Sequence, residues 1–447
     1  MVNRNLFFKV GAIFLLIMVL VIPMMRIGGL VRERQAARDV VVQDIARSAA
    51  YAQTLTGPVL VVPYTRQVRQ EELDASRKLV AVTRVVSGEL LLLPASLDVS
   101  GTLGTEERRR GIYRARIFNA DTKLKGSFDL PAHYGITADV ESYSFGAPRL
   151  ALGISDIRGI GNALSLSADG TKLAFEPGAG ADLLGSGVHA QLFAGDASAA
   201  RHLNYEIALK LQGTGDFQIT PVGRDTHVML TSDWPHPSFV GEFLPRAREV
   251  RSDGFSAEWQ TSFFATNMEE VLTRCHAATG EKPCADFQAR HFGVSFIDPV
   301  DQYLKSERAT KYAFLFIALT FAGFFLFEVL RKFSVHPVQY GLVGLSLAMF
   351  FLLLLSFSEH IGFGMAYAVS AAACVGLIAY YVGHVLKNRV HGAAFGSALA
   401  ALYGLLYGIL SSEDYALLMG SLLVFALLGA VMVLTRRVNW AGFGQHP

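Results

Sequence analysis

Cysteine is scarce in this chain, at three in 447 residues, and so is charge: Asp, Glu, Lys and Arg make up only 17%. Two of the cysteines, Cys275 and Cys284, have only His276 and His291 close by in the sequence. A metal site would need more ligands than those two histidines obviously supply, so no metal is expected. The formal net charge is +2, and no long Lys/Arg block stands outside the flanks of the apolar runs. A nucleic-acid partner therefore has no electrostatic footprint. Also missing are a phosphate-binding lysine loop, a His-Glu-x-x-His zinc motif, a Gly-x-Ser-x-Gly nucleophile turn and a complete dinucleotide glycine pattern. No catalytic residue and no cofactor follow from the residues. His189, His202, His227, His236 and His291 are scattered, and a hydrolase would need the fold to gather some of them with acidic groups.

What is abundant is apolar, at 51%, and it is unevenly spread. Residues 312–330 hold a single charge, Glu328, over about the 20 residues a helix needs to cross hydrocarbon. Four more apolar stretches follow at residues 338–357, 363–386, 393–410 and 415–434. Near the start, Arg4 and Lys9 precede an apolar run over residues 10–25 with no small-x-small cleavage pattern, which reads as an uncleaved signal anchor.

The fold class expected is an α-helical membrane protein with six transmembrane helices and a large all-β periplasmic domain inserted between helices 1 and 2. Residues 1–29 form the anchor helix and residues 30–56 a juxtamembrane helix, uninterrupted by Gly or Pro until Gly57-Pro58. Residues 57–305 form the β-rich domain, residues 306–437 a five-helix membrane domain, and residues 438–447 a tail. Within the β-rich domain the period changes to two. Strands are expected at residues 59–62, 79–86, 89–93, 111–118, 202–211, 217–221, 226–231 and 255–264, with Asp169-Gly170 turning a hairpin inside residues 163–175. Many short strands imply an antiparallel sandwich or a comparable all-β domain. A helix starting near Val300 is expected to run unbroken into the membrane.

Basic connections alternate with acidic ones along the second half. Arg331-Lys332, Lys387 with Arg389, and Arg436-Arg437 mark one side; Glu359, then Glu413-Asp414, mark the other. By the positive-inside rule both termini are cytoplasmic and the β-rich domain lies outside the cytoplasm.

Several groups stand out as candidate sites. Cys275 and Cys284 bracket a polar turn. In an oxidising compartment they would pair and contribute roughly 2 to 3 kcal/mol; otherwise they are two thiols. The segment 233–245 carries Trp234, His236, Phe239 and Phe243 among three prolines, a stiff loop that docks on lipid, on a partner or on its own sheet. Glu328 is expected to form an interfacial ion pair with Arg331 or Lys332. Ser356, Ser358, Glu359 and His360 sit together at an outer turn, facing a headgroup or the outer domain. Gly392, Gly396, Gly404 and Gly408 recur at multiples of four and suit close helix packing, with another helix of the chain or in an oligomer. Charged residues at the bilayer midplane, which proton-coupled transport relies on, are absent from the runs.

Glu33-Arg-Gln35, Gly57-Pro-Val-Leu-Val-Val-Pro-Tyr64, residues 91–94, residues 237–245, residues 308–328, His336-Pro-Val-Gln-Tyr-Gly-Leu-Val-Gly-Leu345 and residues 352–361 together resemble the CreD family of bacterial inner membrane proteins. The resemblance implies an inner-membrane location, a periplasmic domain, and a role in cell envelope integrity linked to envelope stress and β-lactam susceptibility. It supplies no catalytic residue. Three readings follow. The first is a non-enzymatic protein binding an envelope protein, lipid or glycan; the second a transporter or flippase for a lipid or cell-wall precursor; the third a periplasmic hydrolase.

Overall fold

The computed structural model describes residues 4–73, 79–192, 197–277, 285–296, 298, 301–331, 335–411 and 416–436. Its first element, helix α1 (Arg4–Ser48), passes through Pro23 without ending. The helix expected to continue to residue 56 stops eight residues sooner, and Gln53 already opens strand β1 (Gln53–Leu73). The reason is tertiary. Residues 53–56 pair with two other strands, and the buried Gln53 amide donates to the carbonyls of Asp156 and Gln212 at 3.0 Å. Gly57-Pro58, expected to end the helix, instead sits inside β1, where the pairing register shifts between Thr56 and Val59. Gly57 has φ +127°, with the carbonyl of Ala151 3.1 Å from where a Cβ would stand.

Two units emerge, residues 41–299 and residues 1–40 with 300–447. In the first, β1 is followed by β2 (Leu79–Leu92), β3 (Ser96–Arg110), β4 (Tyr113–Leu130), β5 (Tyr143–Phe145), β6 (Arg149–Ile154), β7 (Ile160–Ala168), β8 (Thr171–Leu173), β9 (Glu176–Pro177) and β10 (Gly187–Gln191). Then come β11 (Arg201–Thr214), β12 (Asp216–Thr220), β13 (Asp225–Ser232), β14 (Pro237–Gly241), β15 (Ala247–Arg251), β16 (Gly254–Ser262) and β17 (Phe292–Phe296). One sheet runs β14-β17-β12-β1-β6-β10-β9, with β2 and β5 also on β1; the other runs β15-β16-β13-β3-β4-β11-β7-β8. The antiparallel expectation needs correcting, because β1 pairs β12 in parallel and β3 pairs β13 in parallel. The all-β expectation does too: α2 (Phe263–Thr266), α3 (Met268–Ala277) and α4 (Ala285–Ala289) lie between β16 and β17.

The two sheets differ in how they are buried. In the second, β11 buries Leu203, Tyr205, Ile207, Leu209 and Leu211 while Asn204, Glu206 and Lys210 face water, the alternation of a sheet wetted on one side. In the first, Val59, Leu60, Val61 and Val62 are all buried, as are residues 150–154, so both faces of its centre are covered and alternation disappears. The Asp169-Gly170 hairpin is as expected. Both residues have positive φ, +48° and +79°, which matches the right-handed twist of the flanking strands.

The second unit holds the start of α1 with α5 (Gln302–Arg331), α6 (Pro337–Ile361), α7 (Phe363–Val385), α8 (Arg389–Ser411) and α9 (Ala416–Thr435). Among the described residues, five helices are long and apolar enough to span a membrane, namely α1 and α5 to α8; α9 is a sixth, shorter and strongly apolar helix. The core of this unit is aromatic: Phe316, Phe321, Phe324, Tyr340, Phe350, Tyr367 and Tyr403 are all buried in it.

Candidate functional site

The helical unit confines most of its polar chemistry to three places. At the end of the bundle where α5 stops and α6 starts, Glu328 is 5% exposed. Its carboxylate pairs with the Lys9 ammonium of α1, accepts from the Tyr340 hydroxyl at 2.8 Å, and accepts from the Val335 backbone N–H at 3.0 Å. The pairing expected from the sequence is with Arg331 or Lys332, and the one found among the described residues is with Lys9. A carboxylate in hydrocarbon needs a buried partner more than it needs a nearby one in sequence, and α1 supplies it. The Arg331 side chain and Lys332 lie outside the described residues.

The start of α6 is built here as well. His336 is its N-cap, accepting from the Val338 N–H at 3.3 Å, while the Gln339 side chain accepts from the His336 N–H at 3.1 Å and Pro337 takes the first helical position. This is a capping box, so His336-Pro-Val-Gln339 is a helix start rather than a catalytic motif.

At the opposite end, Asp301 caps α5. One carboxylate oxygen accepts from the N–H groups of Tyr303 and Leu304, and the other takes the Arg38 guanidinium of α1 at 2.5 Å. The Tyr303 hydroxyl donates to Glu359 of α6 at 3.1 Å, and Arg34 of α1 lies 3.8 Å from the same oxygen. Glu359, expected to contact a headgroup or the outer domain, ties α6 to α5 and α1. His360 beside it is exposed.

The third place is the seam between α7 and α8. Gly392 and Gly396 fit the close packing expected of them: an added Cβ would come within 2.6 Å of the Gly383 Cα and 2.7 Å of the Ala379 Cβ. Gly404 does not pack. It lines an open cleft of about 480 Å³ with Gly364, Tyr367, Ala371, Tyr403 and Tyr407. At Gly408 an added Cβ would stand 3.5 Å from the Met419 side chain of α9, an ordinary contact. The helices therefore touch at the Gly383–Gly392 end and part toward the other. Beneath the cleft, Tyr367 donates to the Tyr403 carbonyl at 2.6 Å and Tyr403 to the Cys374 sulfur at 3.3 Å.

In the β-rich unit the segment expected as a docking loop is partly a strand. β14 pairs β17, Phe239 packs edge-on against Phe255 and Trp259, and Phe243 packs edge-on against Phe292. The Trp259 indole donates to the Phe243 carbonyl at 3.1 Å, the Trp234 indole donates to the His236 carbonyl, and Arg116 sits 3.5 Å over the Trp234 ring. Phe239 and Phe243 thus serve the core, and His236 remains exposed. Cys275 is half-buried near the end of α3 and packs on the core; Cys284 lies outside the described residues.

The histidines do not converge. His189 meets the Gly178 carbonyl, His202 meets Asp129 at 2.6 Å, and His227 lies between Glu258 at 2.9 Å and Asp98 at 3.7 Å. Among the described residues no group of three His, Cys, Asp or Glu side chains could hold a metal ion.

The sequence of the whole chain decides the family. Residues 5–441 match the family model for inner membrane protein CreD. The chain belongs to the CreD family. It is 39% identical to inner membrane protein CreD of Escherichia coli (strain K12) over 443 residues, covering 99% of this chain and 95% of that relative. Among solved structures, an M1 zinc metallopeptidase from Deinococcus radiodurans aligns over 80% of this chain and 95% of its own, at 12% identity and a TM-score of 0.19. That score is too low to carry an argument. The apolar helices accord with an inner membrane protein of this family.

Proposed function

We propose that this CreD-family chain maintains cell envelope integrity, under stress and in the response to β-lactams, by holding a binding domain at the periplasmic face of the inner membrane. In this reading six helices cross the bilayer, both termini are cytoplasmic, residues 41–299 are periplasmic, and an envelope protein, lipid or glycan is bound rather than chemically altered. The observation that carries it is the way α1 is fastened into the helical unit. Phenylalanine and tyrosine rings occupy its interior, and the Lys9–Glu328 and Arg38–Asp301 pairs fasten α1 to α5 near both ends of the bundle. Such a unit suits an anchor. A Cys275–Cys284 disulfide completes the periplasmic reading, joining the end of α3 to the residue before α4, whose Phe287 is fully buried.

Reporter fusions at residue 200 test the topology: periplasmic activity supports it, and activity confined to the cytosol overturns it. Crosslinking in intact envelopes tests the binding role. Recovery of one specific envelope component is expected, and recovery of none would remove the reading.

The α7–α8 cleft favours a second reading, a flippase for a lipid or cell-wall precursor, because it opens sideways between two spans. Proteoliposomes containing the purified chain and a fluorescent phospholipid decide this: transbilayer movement no faster than in empty vesicles rejects phospholipid flipping.

A further inference from the structure

Sheet edges expose unpaired backbone groups, and proteins ordinarily blunt them with short strands, proline or charge. Four edges here follow that rule. β14 opens with Pro237, β9 is two residues ending in Pro177, β8 is three residues centred on Lys172, and β15 carries Arg248, Glu249 and Arg251 along its five. β2 does not follow it. It is 14 residues long and pairs β1 in unbroken register from Leu73↔Leu79 to Leu60↔Leu92. Among the described residues nothing pairs its other side. Its first ten residues, 79–88, contain no proline and one charge, Arg84. Val82, Val85 and Val86 are 36%, 66% and 47% exposed.

We propose that this edge is an interface for a second copy of the chain, β2 pairing antiparallel with β2 of its partner. The groups left open are backbone donors and acceptors, so what satisfies them is another strand. A two-fold axis normal to the sheet keeps each residue on its own face, so residues that meet must share parity along the strand. In every such register except one, centred on Arg84 itself, the two arginines avoid standing directly opposite each other, and the rest of the ten-residue stretch brings no charge clash. β-Branched residues facing one another across the ladder pack well on the pleated surface. Both copies also share one membrane, which raises their effective concentration.

A photo-crosslinking amino acid at position 85 of the full chain, irradiated in native membranes, is expected to give a covalent dimer; the same residue at position 250 on the charged edge β15 is expected to give none. Replacing Val82→Lys and Val86→Lys together should abolish the adduct and change the detergent-solubilised particle from two chains to one. These side chains face water, so the variant should still accumulate in the membrane. The wild-type chain decides even if it does not. The absence of a dimer adduct at position 85, or an adduct to a different protein, overturns the proposal.

Discussion

The two units hold ion pairs in different surroundings. On the wetted face of the second sheet, within residues 41–299, Lys125 meets Glu206 at 3.1 Å and Lys210 meets Asp121 at 3.5 Å, each more than half exposed. In the helical unit, Glu328, Tyr340, Tyr367 and Tyr403 turn inward, and each finds a bonded partner there. The difference follows from the surroundings. An exposed ion pair competes with water and is worth about 0 to 1 kcal/mol, whereas a buried one loses its shell and must be fully matched. The same chemical pairing is expendable in one half of the chain and structural in the other.

The sharpest way to break this contrast is Lys9→Met, which strands the Glu328 carboxylate. It should destabilise the helical unit by about 3 to 5 kcal/mol, read by unfolding in detergent, and adding Glu328→Leu should restore most of the loss. Next, Gly396→Leu should cost about 1 to 3 kcal/mol by forcing α7 from α8. Gly404→Leu, facing the cleft, should change the same melting curve little.

The third test is acid. Hydrogen bonds from Arg158 hold the Asp156 carboxyl at about 2, below its ordinary 3.8, and Arg158 also donates to the Arg47 carbonyl at the end of α1. A depressed folded value stabilises the fold above the ordinary value and is lost as the pH falls through the folded one. Between about pH 4 and pH 2 the wild-type β-rich unit should therefore lose this contribution. Asp156→Asn should be less stable at neutral pH and show a flatter acid limb by circular dichroism. Smallest of all, Lys125→Met should shift stability by about 0.5 kcal/mol or less.

Legibility in the sequence tracks how local each determinant is. The membrane helices and the Asp169-Gly170 hairpin were readable because their signals, apolar length and turn chemistry, lie within one segment. The end of α1 was not, since what stops it at Ser48 is pairing with strands more than 90 residues away. Continuous burial hid β6, and the prolines around β14 made an edge strand read as a loop. The site fared worse. Glu328 is conspicuous as the lone charge in its run, but its partner is 319 positions upstream, and Lys9 looks like an ordinary signal-anchor cation. The glycine stripe was half readable: spacing places Gly392 and Gly404 on one track, and only the splay of α7 from α8 separates a contact from an opening.

That separation of Lys9 from Glu328 also sets a schedule for biogenesis. At about 5 to 20 residues per second, α1 is made roughly 15 to 60 s before α5 emerges. In the proposed topology the first helix sits in the bilayer as a lone span throughout that interval, its lysine reaching for the water at the membrane face. Arrival of α5 draws that ammonium inward, so assembly of the bundle is completed by the late half of the chain closing on a helix that has waited for it.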